Sequence, residues 1–501
     1  MDKGQNTTSL WTVTSPQLSF PPLSADITTQ VCIVGAGIAG LTTAYLLARE
    51  GTQVTVLDSG DVGGGETGRT TAHLASALDD RFTKLEKLHG VEGARLAAQS
   101  HAAAIDEIGR IVQTEGIDCD FTRLDGYLFV PPGESTDLLD QEYAAATRAG
   151  LSCDLMSRAP LNYFDTGHAL CFYNQGQFHP GRYVAGLAHA IQRLGGTIHT
   201  ATRVVEVKDG NPVRVVTSEG HVVTARAAVA ATNTPVIDRF QIHTKQAPYR
   251  TYAIAAPIPT GDVTPALYWD TADPYHYVRL EQVDEQTMLI VGGEDHKTGQ
   301  DTNRDHFRCL ETWARERWPS MGRATVQWSG QVLEPVDSLA YIGRNPGEHN
   351  VYIATGDSGH GMTHGTIAGI LLRDLILGRG NEWAALYDPA RKRLAAAAEY
   401  LKENVNVAAQ YLDWLKGSPV ASPEDLRPNS AAVFTKGTHK IAAYRDSSGA
   451  LHQVSAVCPH LGCLVAWNEV ENTWDCPCHG SRFDIDGTVI NGPAVTGLKS
   501  A

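Results

Sequence analysis

Long apolar runs are missing. No stretch approaches the roughly 20 residues that a bilayer span requires, so no membrane span is expected. Met1 to Asp26 has one early lysine, scattered Thr and Ser, and Pro21-Pro22, and it lacks the basic and apolar regions of a secretory leader. It reads as an extension lying over the surface of a cytoplasmic protein. Positive charge is also short: 41 Lys and Arg stand against 56 Asp and Glu, a formal charge of −15. That balance argues against nucleic acid or an anionic membrane surface as partner, and it suits a cationic substrate or a basic electron acceptor. There is no internal repeat or low-complexity stretch. Nine cysteines in 501 residues are too few for a disulfide scaffold, and 42% hydrophobic with 19% charged residues is ordinary for a soluble globular chain. The length implies two to four domains.

What the chain does have is concentrated in three places. Near the end, Cys458-x-His460 is followed by fifteen residues and then Cys476-x-x-His479, with two further cysteines at 463 and 478. Two thiolates and two imidazoles on two loops suit an iron pair held by sulfur on one metal and nitrogen on the other, although Cys and His are zinc ligands too. The pattern, with Gly480-Ser481 and Gly492-Pro493, resembles the Rieske [2Fe-2S] domain, most closely the version in respiratory cytochrome bc complexes. The resemblance implies that Cys458 and Cys476 bind one iron, and His460 and His479 the other. It also implies a Cys463–Cys478 disulfide between the loops, a Ser481 hydroxyl donating to a cluster sulfur, and imidazoles at an exposed tip where electrons leave. The respiratory proteins carry tyrosine where this chain has Phe483. Lacking that donor, this cluster is expected at a lower potential within the broad Rieske span of roughly −150 to +300 mV. Cys32, Cys119, Cys153, Cys171 and Cys309 read as buried, inert thiols.

At the other end, the apolar strand Gln30–Val34 runs into Gly35-x-Gly37-x-x-Gly40, a helix to about Ala48, and a strand 53–57 closed by Asp58. Gly35 permits a tight turn, Gly37 lets backbone approach a pyrophosphate, Gly40 allows close helix–strand packing, and Asp58 suits a ribose hydroxyl. A second strand, Val351–Thr355, feeds Gly356-Asp357-Ser358-Gly359-His360-Gly361-Met362-Thr363 and another helix. Its N-terminal dipole favours the negative charge of a reduced flavin. Two such turns resemble the FAD-dependent oxidoreductases of the D-amino acid oxidase and glycine oxidase type, with Glu334-Pro335 to Gly343 in support. The implied fold is an α/β, Rossmann-like, glutathione-reductase-type FAD domain with an antiparallel-sheet substrate domain and a small all-β Rieske domain. The implied cofactors are FAD and a [2Fe-2S] cluster.

The expected boundaries are an extension 1–27 and an oxidoreductase unit 28–388. Within that unit FAD is bound by 28–90, 176–245 and 332–388, and substrate by 91–175 and 246–331. A helix and linker at 389–428 precede the cluster domain 429–501; the helix, Pro389 to Leu415, is read as a packing and spacer element with an apolar stripe (Leu394, Leu401, Val405, Ala408, Leu412, Leu415). Between Asp58 and the next helix lies Gly68-Arg69-Thr70-Thr71-Ala72-His73, which in the family passes the flavin ring. It also resembles the loop of dimethylglycine and sarcosine dehydrogenases, where a histidine carries covalent flavin. His73 is therefore a candidate flavin contact, covalent or not, or an ordinary hydrogen-bonded histidine. Relatives hold a substrate carboxylate with an arginine from the sheet. Arg250 and Arg279 are candidates for that role, with Tyr252, Tyr275, His276 and Tyr277 as pocket residues.

Three functions stay open. The first is a dehydrogenase for a small amine or amino acid, with hydride passing to FAD and single electrons leaving through the cluster to an external acceptor. The second is an oxygen-using oxidase with a structural or sensory cluster. The third is a reductase fed by NAD(P)H, against which stands the single complete GxGxxG unit.

Overall fold

The computed structural model describes residues 7–16, 18–236, 242–301, 304–415 and 422–501. Val31–Val34 lies inside a six-stranded sheet, and all four of its side chains are buried, as expected for a strand covered on both faces. The sheet order is Tyr341–Arg344, Val351–Thr355, Ala227–Ala230, Val31–Val34, Val54–Leu57, Thr197–His199. Only Tyr341–Arg344, at the edge, runs antiparallel.

Helix Ile38–Arg49 follows the first glycine turn and helix Gly361–Ile376 the second. The two pack at glycines: a Cβ on Gly365 would lie 2.7 Å from Ile38 Cγ2, and one on Gly369 would lie 2.5 Å from Thr42 Cγ2. Two helix N-termini thus open side by side beyond the carboxyl ends of the parallel strands, where open α/β sheets bind ligands.

A nine-stranded sheet stands over that opening. Its antiparallel ladders Gln246–Pro257, Gln286–Lys297 and His276–Val283 supply the roof. The C-terminal domain is built of two small antiparallel sheets, one of three strands and one of four, around a core that includes Trp474, Phe483 and the four cluster-loop cysteines.

Two expectations need correction. The N-terminal segment does more than lie over the surface. Its helix Leu10–Thr14 buries Leu10 and Trp11, and Phe20 and Leu23 are buried further along. The helix expected over 389–415 is α-helical at Ala397–Gln410, with 3-10 turns at Leu394–Ala396 and Tyr411–Leu415. Its apolar stripe faces solvent: Leu394, Leu401, Val405 and Leu412 are 94, 64, 58 and 60% exposed. The inward face is mostly polar and is held by the Lys297–Glu403 ion pair at 2.5 Å and by Asn404 donating to the Thr244 carbonyl. Residues 416–421, where the expected linker begins, lie outside the described residues.

Candidate active site and cluster site

A cavity of about 330 Å³ runs from the first glycine turn to the underside of the large sheet. Gly35 (φ 109°) leaves no room for a side chain, since a Cβ would sit 2.2 Å from the Ala231 carbonyl oxygen. Gly40 is packed against Gly35 and, like Thr363, sits one layer behind the lining. Gly37, Asp58, Arg69, Thr70, Thr71, His73, Gly356, Asp357, Gly359, His360, Gly361 and Met362 all line the cavity. Asp58 accepts from the Ala36 and Gly60 N–H groups. This narrow trough, with a glycine cradle and two helix N-termini, fits a dinucleotide.

The 69–73 loop hangs by its carbonyls. Trp328 Nε1 donates to Arg69 O, Trp11 Nε1 to Thr70 O, and Arg279 Nη1 to Ala72 O. His73 Nδ1 pairs with Thr71 Oγ1 at 3.1 Å, and its ring stands edge-on to Tyr277. Burial, then the nearby Arg279 charge, pushes the His73 pKa down to about 3, so the imidazole is neutral.

The expected substrate arginines are engaged elsewhere. Arg250 is fully buried and ion-pairs at 3.1 Å with Glu471 of the C-terminal domain, while also bonding Ser329. Arg279 is fully buried against Glu281. Tyr252 and His276 miss the cavity for a reason of parity. Thr251, Tyr275 and Tyr277 line it, so their strand neighbours point to the opposite face. There Tyr252 bonds His296 at 3.0 Å, and His276 bonds Asp270 and stacks on Trp313.

In the C-terminal domain Cys463 and Cys478 form a disulfide. It joins the two loops that carry Cys458 and Cys476, whose sulfurs are close enough to hydrogen-bond. The His460 and Leu461 N–H groups and the Ser481 hydroxyl reach the Cys458 sulfur, and the Cys478 and His479 N–H groups reach that of Cys476. The rings of His460 and His479 are 5.0 Å apart. Burial, then His460, pushes His479 down to about 3, the neutral form that ligation needs. Two buried sulfurs cradled by N–H donors and two adjacent imidazoles fit an iron–sulfur pair.

The chain matches the FAD dependent oxidoreductase family over residues 30–375 and the Rieske [2Fe-2S] domain over residues 416–501. It is an FAD-dependent oxidoreductase with a C-terminal Rieske domain. The Bacillus subtilis protein YhfW, named as a Rieske 2Fe-2S iron-sulfur protein, is 32% identical over 98% of this chain and 96% of its own length. Gamma-glutamylputrescine oxidoreductase of Escherichia coli is 26% identical over 73% of this chain and 88% of its own. Glycine oxidase of Geobacillus kaustophilus superposes with a TM-score of 0.63 at 18% identity, covering 73% of this chain and 99% of that one, a likeness of fold.

The imidazole tip of the Rieske domain is not exposed, contrary to expectation. His243 of the oxidoreductase unit lies 4.9 Å from His460 and 6.0 Å from His479, ring to ring, and His479 is buried. The domain also closes the FAD cavity: Val489 to Gly492, Ala494 and Val495 are part of its wall. Gln331, another wall residue, donates from Nε2 to the carbonyl of Gly480, the residue after His479, at 2.8 Å. It accepts from Asn233 Nδ2 at 3.1 Å, and its N–H donates to Glu66, whose other carboxylate oxygen accepts from Asn491. Sequence reasoning missed Gln331, Glu471 and His243. A neutral amide, an acid and a histidine carry no motif, and nothing local foretells that they meet a domain more than a hundred residues away.

Proposed function

We propose that this protein oxidises an amine or amino acid and sends the electrons singly through the Rieske cluster to an external acceptor. When bound, FAD supplies a two-electron hydride acceptor and the cluster a one-electron relay. The observation that carries the reading is Gln331, one buried side chain that both walls the FAD cavity and hydrogen-bonds the ligand loop of His479. The protein's own groups do the positioning. Arg279, Trp11 and Trp328 hold the 69–73 loop, and His73 stays uncharged beside the cavity. The 489–495 segment shuts water out on the cluster side, and Glu66 ties that segment to Gln331 through Asn491. The family to which the chain belongs and the relative named for gamma-glutamylputrescine support an amine-type substrate.

Anaerobic stopped-flow mixing with an amine tests this. Flavin absorbance should bleach first and cluster absorbance second. Gln331→Leu, which keeps the bulk and removes the donor, should slow the second phase by about tenfold, the worth of a hydrogen bond of about 1.4 kcal/mol, and slow the first, whose cavity it also lines, by much less. Peroxide formation with the cluster still oxidised would defeat the route, and bleaching by NADH alone would point to a reductase.

A further inference from the structure

The end of the cavity beneath the large sheet is built for positive charge. Its roof presents Thr251, Trp269, Tyr275 and Tyr277, with the Tyr275 and Tyr277 rings 5.4 Å apart, and its wall also carries Asp79, paired with His360 at 3.5 Å. Among the described residues, Arg69 and Arg203 are the arginines that line the cavity, and no lysine does. Arg203 lies toward Asp58, at the dinucleotide end. Arg69 donates to the Ser329 carbonyl and sits beside Glu66, on the Rieske side. The roof's own Arg250 and Arg279 are held by Glu471 and Glu281.

A defect in the roof sets an acid directly behind the lining residue Thr251. Arg250 faces His296 and Tyr252 faces Gly293, so Glu294 and Asp295 together oppose Thr251, with Glu294 at φ 58°. Such a bulge re-aims a side chain, and bulges collect beside active sites. Here it sets Asp295 next to Thr251, whose hydroxyl pairs with that of Tyr277 at 2.8 Å. The Asp295 carboxylate accepts from the Thr251 hydroxyl, while its Oδ1 is buried and has no hydrogen-bond partner. Burial, with Asp79 and Glu294 nearby, raises the Asp295 pKa to about 7. An acceptor left unsatisfied in this way costs stability unless a donor arrives.

We infer that this end of the cavity is an ammonium site, with Tyr275 and Tyr277 offering their rings and Asp295 the counter-charge left over once Asp79 is paired with His360, and that the substrate is an amine without a carboxylate on the reacting carbon. Aromatic faces and carboxylates attract an ammonium. A carboxylate placed there would meet Asp295 and no arginine supplied by the sheet, and His360, which lines the same cavity, is already paired with Asp79 at 3.5 Å. This rests on the proposed amine oxidation and narrows it.

The test uses the full-length, FAD-loaded, cluster-loaded protein and matched probes differing only in the carboxylate: n-pentylamine against norleucine, and benzylamine against phenylglycine. A non-oxidisable pair, tetramethylammonium and acetate, is titrated by the shift of the flavin spectrum. The amines should bleach flavin at concentrations about tenfold lower than their carboxylated partners, and tetramethylammonium should bind where acetate does not. Asp295→Asn and, separately, Tyr277→Leu should each weaken tetramethylammonium by about tenfold, with flavin content and melting temperature confirming the fold. Equal or better use of the carboxylated partners, or tetramethylammonium binding unmoved by both variants, would overturn the inference. If no probe bleaches flavin while tetramethylammonium still binds in an Asp295-dependent way, the ammonium site stands and the oxidation reading falls.

Discussion

Phe483 shows how much one atom can set. It is fully buried, pairs with Trp474 across the small sheet and closes the second cluster loop. A phenol there would add a donor to the Ser481 hydroxyl and the loop N–H groups that reach the Cys458 sulfur, and donors to a cluster sulfur would favour the reduced state. Phe483→Tyr should therefore raise the midpoint potential, as read by a potentiometric titration followed by paramagnetic resonance. A potential that stays put or falls would show that position 483 does not face a ligand sulfur. At this scale the sequence was most legible where chemistry is local. The turn at Gly35 and Gly37 and the meeting of the Cys458 and His479 loops can be read from their neighbours in the chain, because turn geometry and motif spacing are short-range constraints. Arg250 could not be read, because its partner, Glu471, lies 221 residues away in another domain. An arginine facing a substrate and one facing a distant glutamate look alike in one dimension.

At the scale of elements, periodicity told which segments are helices and strands but not always which face turns inward. The parallel strands and both cofactor helices fall within a few residues of their expected bounds, since four buried positions in a row admit few alternatives. Parity along the roof strands decided a harder matter: whether Tyr252 or Thr251 and whether His276 or Tyr277 meets the cavity. Aromatic composition alone cannot fix that. Helix Ala397–Gln410 reverses the usual inference, for its apolar stripe is outside and Glu403 and Asn404 hold it down. The double variant Leu401→Glu, Val405→Glu should then change unfolding stability by no more than about 0.5 kcal/mol, the range of ordinary surface substitutions. A loss of several kcal/mol in a denaturant titration would mean that the stripe is packed after all.

At the scale of the whole molecule, the arrangement depends on one buried carboxylate. Glu471 pairs with Arg250 of the oxidoreductase sheet at 3.1 Å and with Arg482 of its own domain at 2.9 Å, and all three are fully buried. Burial opposes ionisation, yet Arg250 and Arg482 hold Glu471 well below the usual carboxylate range. A lowered acid contributes stability that is complete above its unfolded pKa and is lost only as pH falls through the folded value, so docking should persist throughout neutral pH. Removing the charge is another matter. Glu471→Gln leaves Arg250 in a dry interface without a counter-ion, and breaking one side of a buried pair costs about 3–5 kcal/mol. The domain should then lift from the cavity wall at 489–495. The radius of gyration in small-angle scattering should rise, and the cluster phase of anaerobic reduction should slow while substrate still bleaches the flavin. Glu471→Asp, which keeps the charge, should restore part of the cluster phase. A Glu471→Gln protein with unchanged scattering and unchanged cluster reduction would show that the domains are held by contacts other than this triad.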